Sequence, residues 1–197
     1  MRRAAASAGA ISVVVLLALA VPAGATHTNQ ADPNDTRGRL DVSSVELDHE
    51  AKPIRWRIVT FATWSVHEMW DEGYLIVQLD TKGDDAIDQL VVVGSDGRDL
   101  VATLYSVRGD GTEKAIDELP VGKDGKRAVE VAVALRKLTI GSNRASYFWS
   151  VLTSFTGPAC TQTCFDRVPD EGLIEQLLPG VTPTPTPSPS VSPTPTP

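Results

Sequence analysis

Between two apolar runs the chain reads Asp80-Thr81-Lys82-Gly83-Asp84-Asp85-Ala86-Ile87-Asp88. Calcium takes roughly six to eight oxygen ligands, so loops that hold it place carboxylates at alternating positions with a glycine at the bend. Asp80, Asp84 and Asp88 meet part of that demand, and Asp85 and backbone carbonyls could add oxygens. Lys82 stands where a further acid belongs, and its ammonium would oppose a cation or replace it through salt bridges. The EF-hand pattern D-x-[DN]-x-[DN]-G is broken at two places and no Glu closes it. The loop is therefore a candidate calcium site, weighed against an acidic, solvated turn built from ordinary turn residues.

His67-Glu68-Met69-Trp70 invites sharper chemistry and fails most of it. Zinc peptidases need H-E-x-x-H, and position 71 is Asp. Haem ligation by Met69 with His49 or His67 is chemically open, but an ordinary packed or exposed role for each is favoured. No G-x-S-x-G elbow is present, and no carboxylate pair stands out at glycosidase spacing. Cys160 and Cys164 are the only cysteines. An even pair in an exported chain reads as a structural disulfide, and closing so short a loop adds about 2 kcal/mol. A structural zinc site would need four ligands, which nothing nearby supplies.

Aromatic residues are the other carriers of binding chemistry. Trp56 lies on the inward parity of its segment and Trp149 sits among apolar residues, so both read as core. Trp64 and Trp70 flank an irregular segment and are the candidates for a ligand-binding surface, set against the frequent burial of tryptophan.

The elements that would hold these residues are mostly strands. Ile54, Trp56 and Ile58 alternate with Arg55, Arg57 and Val59, and Leu40–His49 alternates more weakly. Tyr74–Leu79 is apolar on both faces, as for a central strand. Leu90–Val93 and Leu100–Val107 form a hairpin about Gly94-Ser95-Asp96-Gly97. Val129–Leu135 and Ser146–Phe155 complete the clear strands. Helix is expected only as a turn around Ser65–Glu72 and over Glu171–Leu178. Seven or eight short strands without crossover helices predict an all-β chain, an antiparallel β-sandwich of jelly-roll type with short helical turns and a disordered C-terminal tail.

The ends carry an address. Met1-Arg2-Arg3, the apolar run Ile11–Val21 and Ala23-Gly24-Ala25 have the three parts of a cleavable bacterial secretory signal, placing residues 1–25 in a signal peptide. The apolar run is too short for a spanning helix, so no membrane span is expected after cleavage. Residues 26–37 read as a flexible arm, 38–179 as the sandwich domain, and 180–197 as a disordered, low-complexity Pro/Thr/Ser tail sampling extended polyproline II. The formal charge is −7, and cleavage would remove Arg2 and Arg3 and no acid. An acidic chain without a basic cluster is a poor partner for nucleic acid.

A hydrophobic strand leading into D-T-K-G-D-x-x-x-D, a hairpin turning at Asp96-Gly97, the run Val129–Leu138 and the Tyr147-x-Trp149 strand resemble DOMON-like and family 9 carbohydrate-binding-like modules. The resemblance covers about residues 41–155. It implies a jelly-roll sandwich that binds a sugar or haem, sometimes with structural calcium, for which only Asp80, Asp84 and Asp88 carry over as ligands. The expectation is a secreted, cell-wall-associated binding module without catalysis, with a glycan as leading partner. Alternatives are an extracellular hydrolase using Asp/Glu and a structural surface protein without a small ligand. No cofactor other than the candidate calcium is called for.

Overall fold

A computed structural model describes residues 27–180. The expected signal peptide and nearly all of the tail lie outside them. Among the described residues twelve strands, more than the seven or eight expected, form two antiparallel sheets, the all-β sandwich that the alternation predicts. They are β1 His27–Ala31, β2 Val42–Asp48, β3 Ile54–Thr60, β4 Gly73–Asp80, β5 Gln89–Ser95, β6 Leu100–Val107, β7 Glu113–Glu118, β8 Val121–Asp124, β9 Ala128–Val133, β10 Ser146–Gly157, β11 Cys160–Val168 and β12 Ile174–Leu177. One sheet has the order β1-β2-β3-β9-β8. The other runs β11-β10-β4-β5-β6-β7, with β12 paired to β10. At twelve residues, β10 is long enough to hold β4 along one edge and both β11 and β12 along the other.

The core lies between the sheets. Trp56, Ile58, Val129 and Val131 face Leu75, Val77, Val91, Leu104 and Trp149, all buried. Trp56 and Trp149 are thus core, as their parity requires. The outer faces differ in kind. On the five-stranded side Arg57 bonds Glu46 at 3.1 Å and Asp124 at 2.5 Å, and Arg55 pairs with Glu130 at 3.4 Å. On the other side the outward positions are Tyr74, Ile76, Leu90, Val92, Phe148 and Leu152, half-buried or exposed. They meet across strands as Ile76–Val92 and Ile76–Leu152. Apolar residues on both faces of β4 therefore serve two purposes, the core and an apolar outer surface.

Two expected elements differ. The arm at 26–37 is not wholly flexible, because His27–Ala31 pairs with β2 from His27↔Asp48 to Ala31↔Ser44. It is a polar edge strand with no buried face, so it lacks the period-two signal. Glu171–Leu178 is not helical: residues 174–177 form β12 on the free edge of β10, from Trp149↔Ile174 to Ser146↔Leu177. A segment this short is a marginal helix, and β10 offers unpaired backbone groups that strand pairing satisfies. The turn near Ser65 is one helical turn, α1 Val66–Met69, closed by a Ser65/Glu68 capping box. Among the described residues no helix is long and apolar enough to cross a membrane.

Candidate functional site

The loop after β4 brings Asp80, Asp84 and Asp88 together, with carboxylate oxygens within 4.8 Å of one another. The loop also supplies its own donors. Asp80 accepts the backbone N–H groups of Lys82, Gly83 and Asp85. Asp88 accepts from the Thr81 N–H and hydroxyl, the Lys82 N–H and the Lys82 ammonium. Burial pushes the Asp88 carboxyl up, but Lys82 and Thr81 outweigh it and hold it below its ordinary value. The Arg144 guanidinium packs against Gly83. Lys82 thus stands as the cation for Asp88.

A second acidic cluster escaped the sequence reading. Asp32 and Asp35 follow β1, Asp41 precedes β2, and Asp166 comes from β11 at the edge of the other sheet. One carboxylate oxygen from each lies within 4.8 Å of the others. Asp166 Oδ2 accepts the Val42 N–H at 2.7 Å and Oδ1 the Arg167 N–H at 2.8 Å. Asp32 Oδ2 and Asp41 Oδ1 are buried without a hydrogen-bond partner. Among the described residues no Lys or Arg forms an ion pair with any of the four. Two such charges 4.8 Å apart repel by about 3.5 kcal/mol at an effective dielectric of about 20. The cost shows in their acidity. Burial first, then Asp166 and its acidic neighbours, push Asp32 up to about 7, and burial with Asp166 pushes Asp41 up to about 6. Burial raises Asp166 as well, against the pull of its two N–H donors.

The loop carrying three of these acids is held tightly. Thr36 Oγ1 donates to the Phe165 carbonyl at 3.2 Å, Thr153 Oγ1 to the Leu40 carbonyl at 2.8 Å, and the Phe61 N–H to the Asp41 carbonyl at 2.8 Å. Beneath the loop lies the Cys160–Cys164 disulfide, formed as expected. It joins two positions of β11 rather than bracing an irregular loop.

The two tryptophans proposed for a surface separate. Trp64 is 5% exposed and belongs to the core. The Lys123 ammonium sits 3.3 Å above the centre of its ring and donates to its carbonyl at 2.5 Å. Flanking irregular backbone gave no parity to reveal this. Trp70 is 46% exposed. A Cβ placed on Gly97 would lie 3.1 Å from Trp70 Cδ2 and 3.4 Å from both Cε2 and Cε3, the distances of a point above the ring plane. The indole therefore rests one face on Gly97. Tyr74, 45% exposed, meets Gly94 by its edge instead: a Cβ there would stand 3.2 Å from Cδ1 and Cε1 and within 4 Å of no other ring atom. Beside Trp70 a shallow pocket of about 370 Å³ is lined by His67, Asp96, Gly97 and Arg98. Asp96 Oδ1 fixes the turn by accepting the N–H groups of Arg98 and Asp99. Further along the same sheet, a groove of about 580 Å³ runs past Gln78, Phe148, Leu152 and Arg167.

No protein-family model, curated protein or solved structure matches the chain. The DOMON-like resemblance gains nothing from those comparisons, and what the protein can do has to come from its side chains.

Proposed function

We propose that the chain is a secreted, non-catalytic binding module, and that it holds a glycan of the cell surface or wall on the aromatic end of its seven-stranded sheet. The observation that carries this reading is the Trp70 indole, backed on one face by Gly97 and close to half exposed, with the equally exposed Tyr74 held by its edge against Gly94. Backbone behind a ring fixes its plane without covering the outer face. Ligand sites combine such apolar and aromatic surface with a few placed polar groups. Here Asp96, Arg98 and His67 flank the indole, and a sugar offers both C–H faces and hydroxyls to such a set.

The charged outer face of the other sheet favours no such ligand, because its carboxylates and guanidinium groups are already paired with one another.

The test is co-sedimentation of the protein with insoluble cellulose, chitin and peptidoglycan, against Trp70→Ala and Tyr74→Ala. Retention on at least one matrix, lost in Trp70→Ala while the melting temperature stays within a few degrees, supports the reading. Retention unaffected by both substitutions, or absent on all three matrices, contradicts it.

A further inference from the structure

We propose that Asp32, Asp35, Asp41 and Asp166 bind calcium, and that the ion clamps the 32–41 loop of one sheet to β11 of the other. Three observations converge on it. Ligands around a calcium ion sit about 2.4 Å from it, so any two can be no more than about 4.8 Å apart. One oxygen from each of the four carboxylates satisfies that limit against all the others. Asp41 is 3% exposed, and its Oδ1 is buried with no hydrogen-bond partner. Asp32 Oδ2 is orphaned in the same way. A buried, unpartnered carboxylate oxygen among three other carboxylates calls for positive charge, either a proton shared between two of the acids or a bound cation, and melts in calcium and in EDTA distinguish the two.

The Asp80 loop is the internal control. It gathers three carboxylates within the same distance, yet Lys82 bonds Asp88 and backbone N–H groups serve Asp80. In the Asp32 cluster Asp166 accepts from the Val42 and Arg167 N–H groups and Asp41 from the Thr36 backbone, but Asp41 Oδ1 and Asp32 Oδ2 have no donor, and no ammonium or guanidinium pairs with any member among the described residues. Hard carboxylate oxygens, three from an irregular loop and one from β11, suit calcium, whose geometry is flexible. Magnesium demands a near-ideal octahedron and keeps most of its water. The inference stands independently of the glycan platform, which lies on other residues.

The experiment is a set of thermal melts of the full secreted chain in EDTA, in 10 mM magnesium and in 10 mM calcium, for wild type, Asp35→Asn, Asp41→Asn and Asp84→Asn. Extracellular calcium modules bind with dissociation constants of about 0.1–1 mM. At about 10 mM calcium, mass action on a domain of this size then lifts the midpoint by about 3–10 °C. The expected result is that rise in wild type and Asp84→Asn, and its loss in Asp41→Asn and Asp35→Asn. Asp35 is exposed, so its variant folds even if Asp41→Asn does not. No rise with calcium, an equal rise with magnesium, or a rise lost in Asp84→Asn and kept in Asp35→Asn overturns the assignment.

Discussion

Gly38→Ala tests how the acid-bearing loop is held. Gly38 has φ +121°, and an added Cβ would lie 2.9 Å from Phe155 Cδ1 and 3.1 Å from Cys160 Sγ. Holding a non-glycine residue in such a conformation costs about 1–3 kcal/mol. Forcing an extra carbon into a packed site costs a further 1–3 kcal/mol or so. Neither neighbour can yield cheaply, because Phe155 is buried and Cys160 is tied to Cys164. The sum, about 2–6 kcal/mol, is a large part of the 5–15 kcal/mol or so that holds a typical domain. Gly111→Ala is the control: its φ is +80°, and its Cβ would meet nothing within 4 Å. Urea unfolding followed by tryptophan fluorescence should show both variants weakened, with Gly38→Ala worse by at least about 1 kcal/mol. Equal losses would refute the packing described beneath the loop.

Asp166→Asn keeps an oxygen for the Val42 N–H, loses the acceptor for the Arg167 N–H and removes one of four crowded carboxylates. It should reduce the rise in midpoint between EDTA and calcium, read by melts in the two buffers. His49 is buried against Tyr147, with ring centres 5.7 Å apart and Nε2 unpartnered. Burial, opposed by Asp48, holds its imidazole below the ordinary value of 6.5. The unfolded chain therefore binds the proton first, so stability present above about pH 6.5 is lost as the pH falls toward the depressed folded value. Asp32 and Asp41, raised into the same window, act in the opposite sense in wild type and variant alike, so urea melts at pH 7.5 and 5.5 should show a less favourable change on acidification in wild type than in His49→Gln.

Much of the sandwich was legible wherever a strand buries one face or two. Ile54, Trp56 and Ile58 alternate, the Leu90–Val107 hairpin turns on Asp96-Gly97, and Ser146–Phe155 is β-branched and aromatic. Of the strands that went unread, β1, β7 and β8 are polar edges whose residues are mostly exposed, so no periodicity marks them, and β11 opens with the exposed polar run Thr161-Gln162-Thr163 between its two cysteines. β12 was hidden by residues that favour helix locally and are overruled by the open edge of β10.

The sites divide along similar lines. The disulfide and the Asp80 cluster are local in sequence and were legible as such, and Trp70 emerged from the exposed end of α1. Trp64 could not be placed without knowing that β8 brings Lys123 over it. Asp32, Asp35 and Asp41 stand close together and could have been noticed, but they fall where an arm was expected. Asp166 joins them only because β11 lies beside β2.

Of the four tryptophans, Trp56, Trp64 and Trp149 are buried and Trp70 is exposed. Iodide quenching of tryptophan fluorescence therefore reports on the face proposed to meet the glycan. The measurement is that quenching with and without soluble fragments of cellulose, chitin and peptidoglycan. The expected result is quenching in the free protein that is absent in Trp70→Ala and suppressed by one of these sugars. Quenching that no fragment alters would contradict a glycan on Trp70.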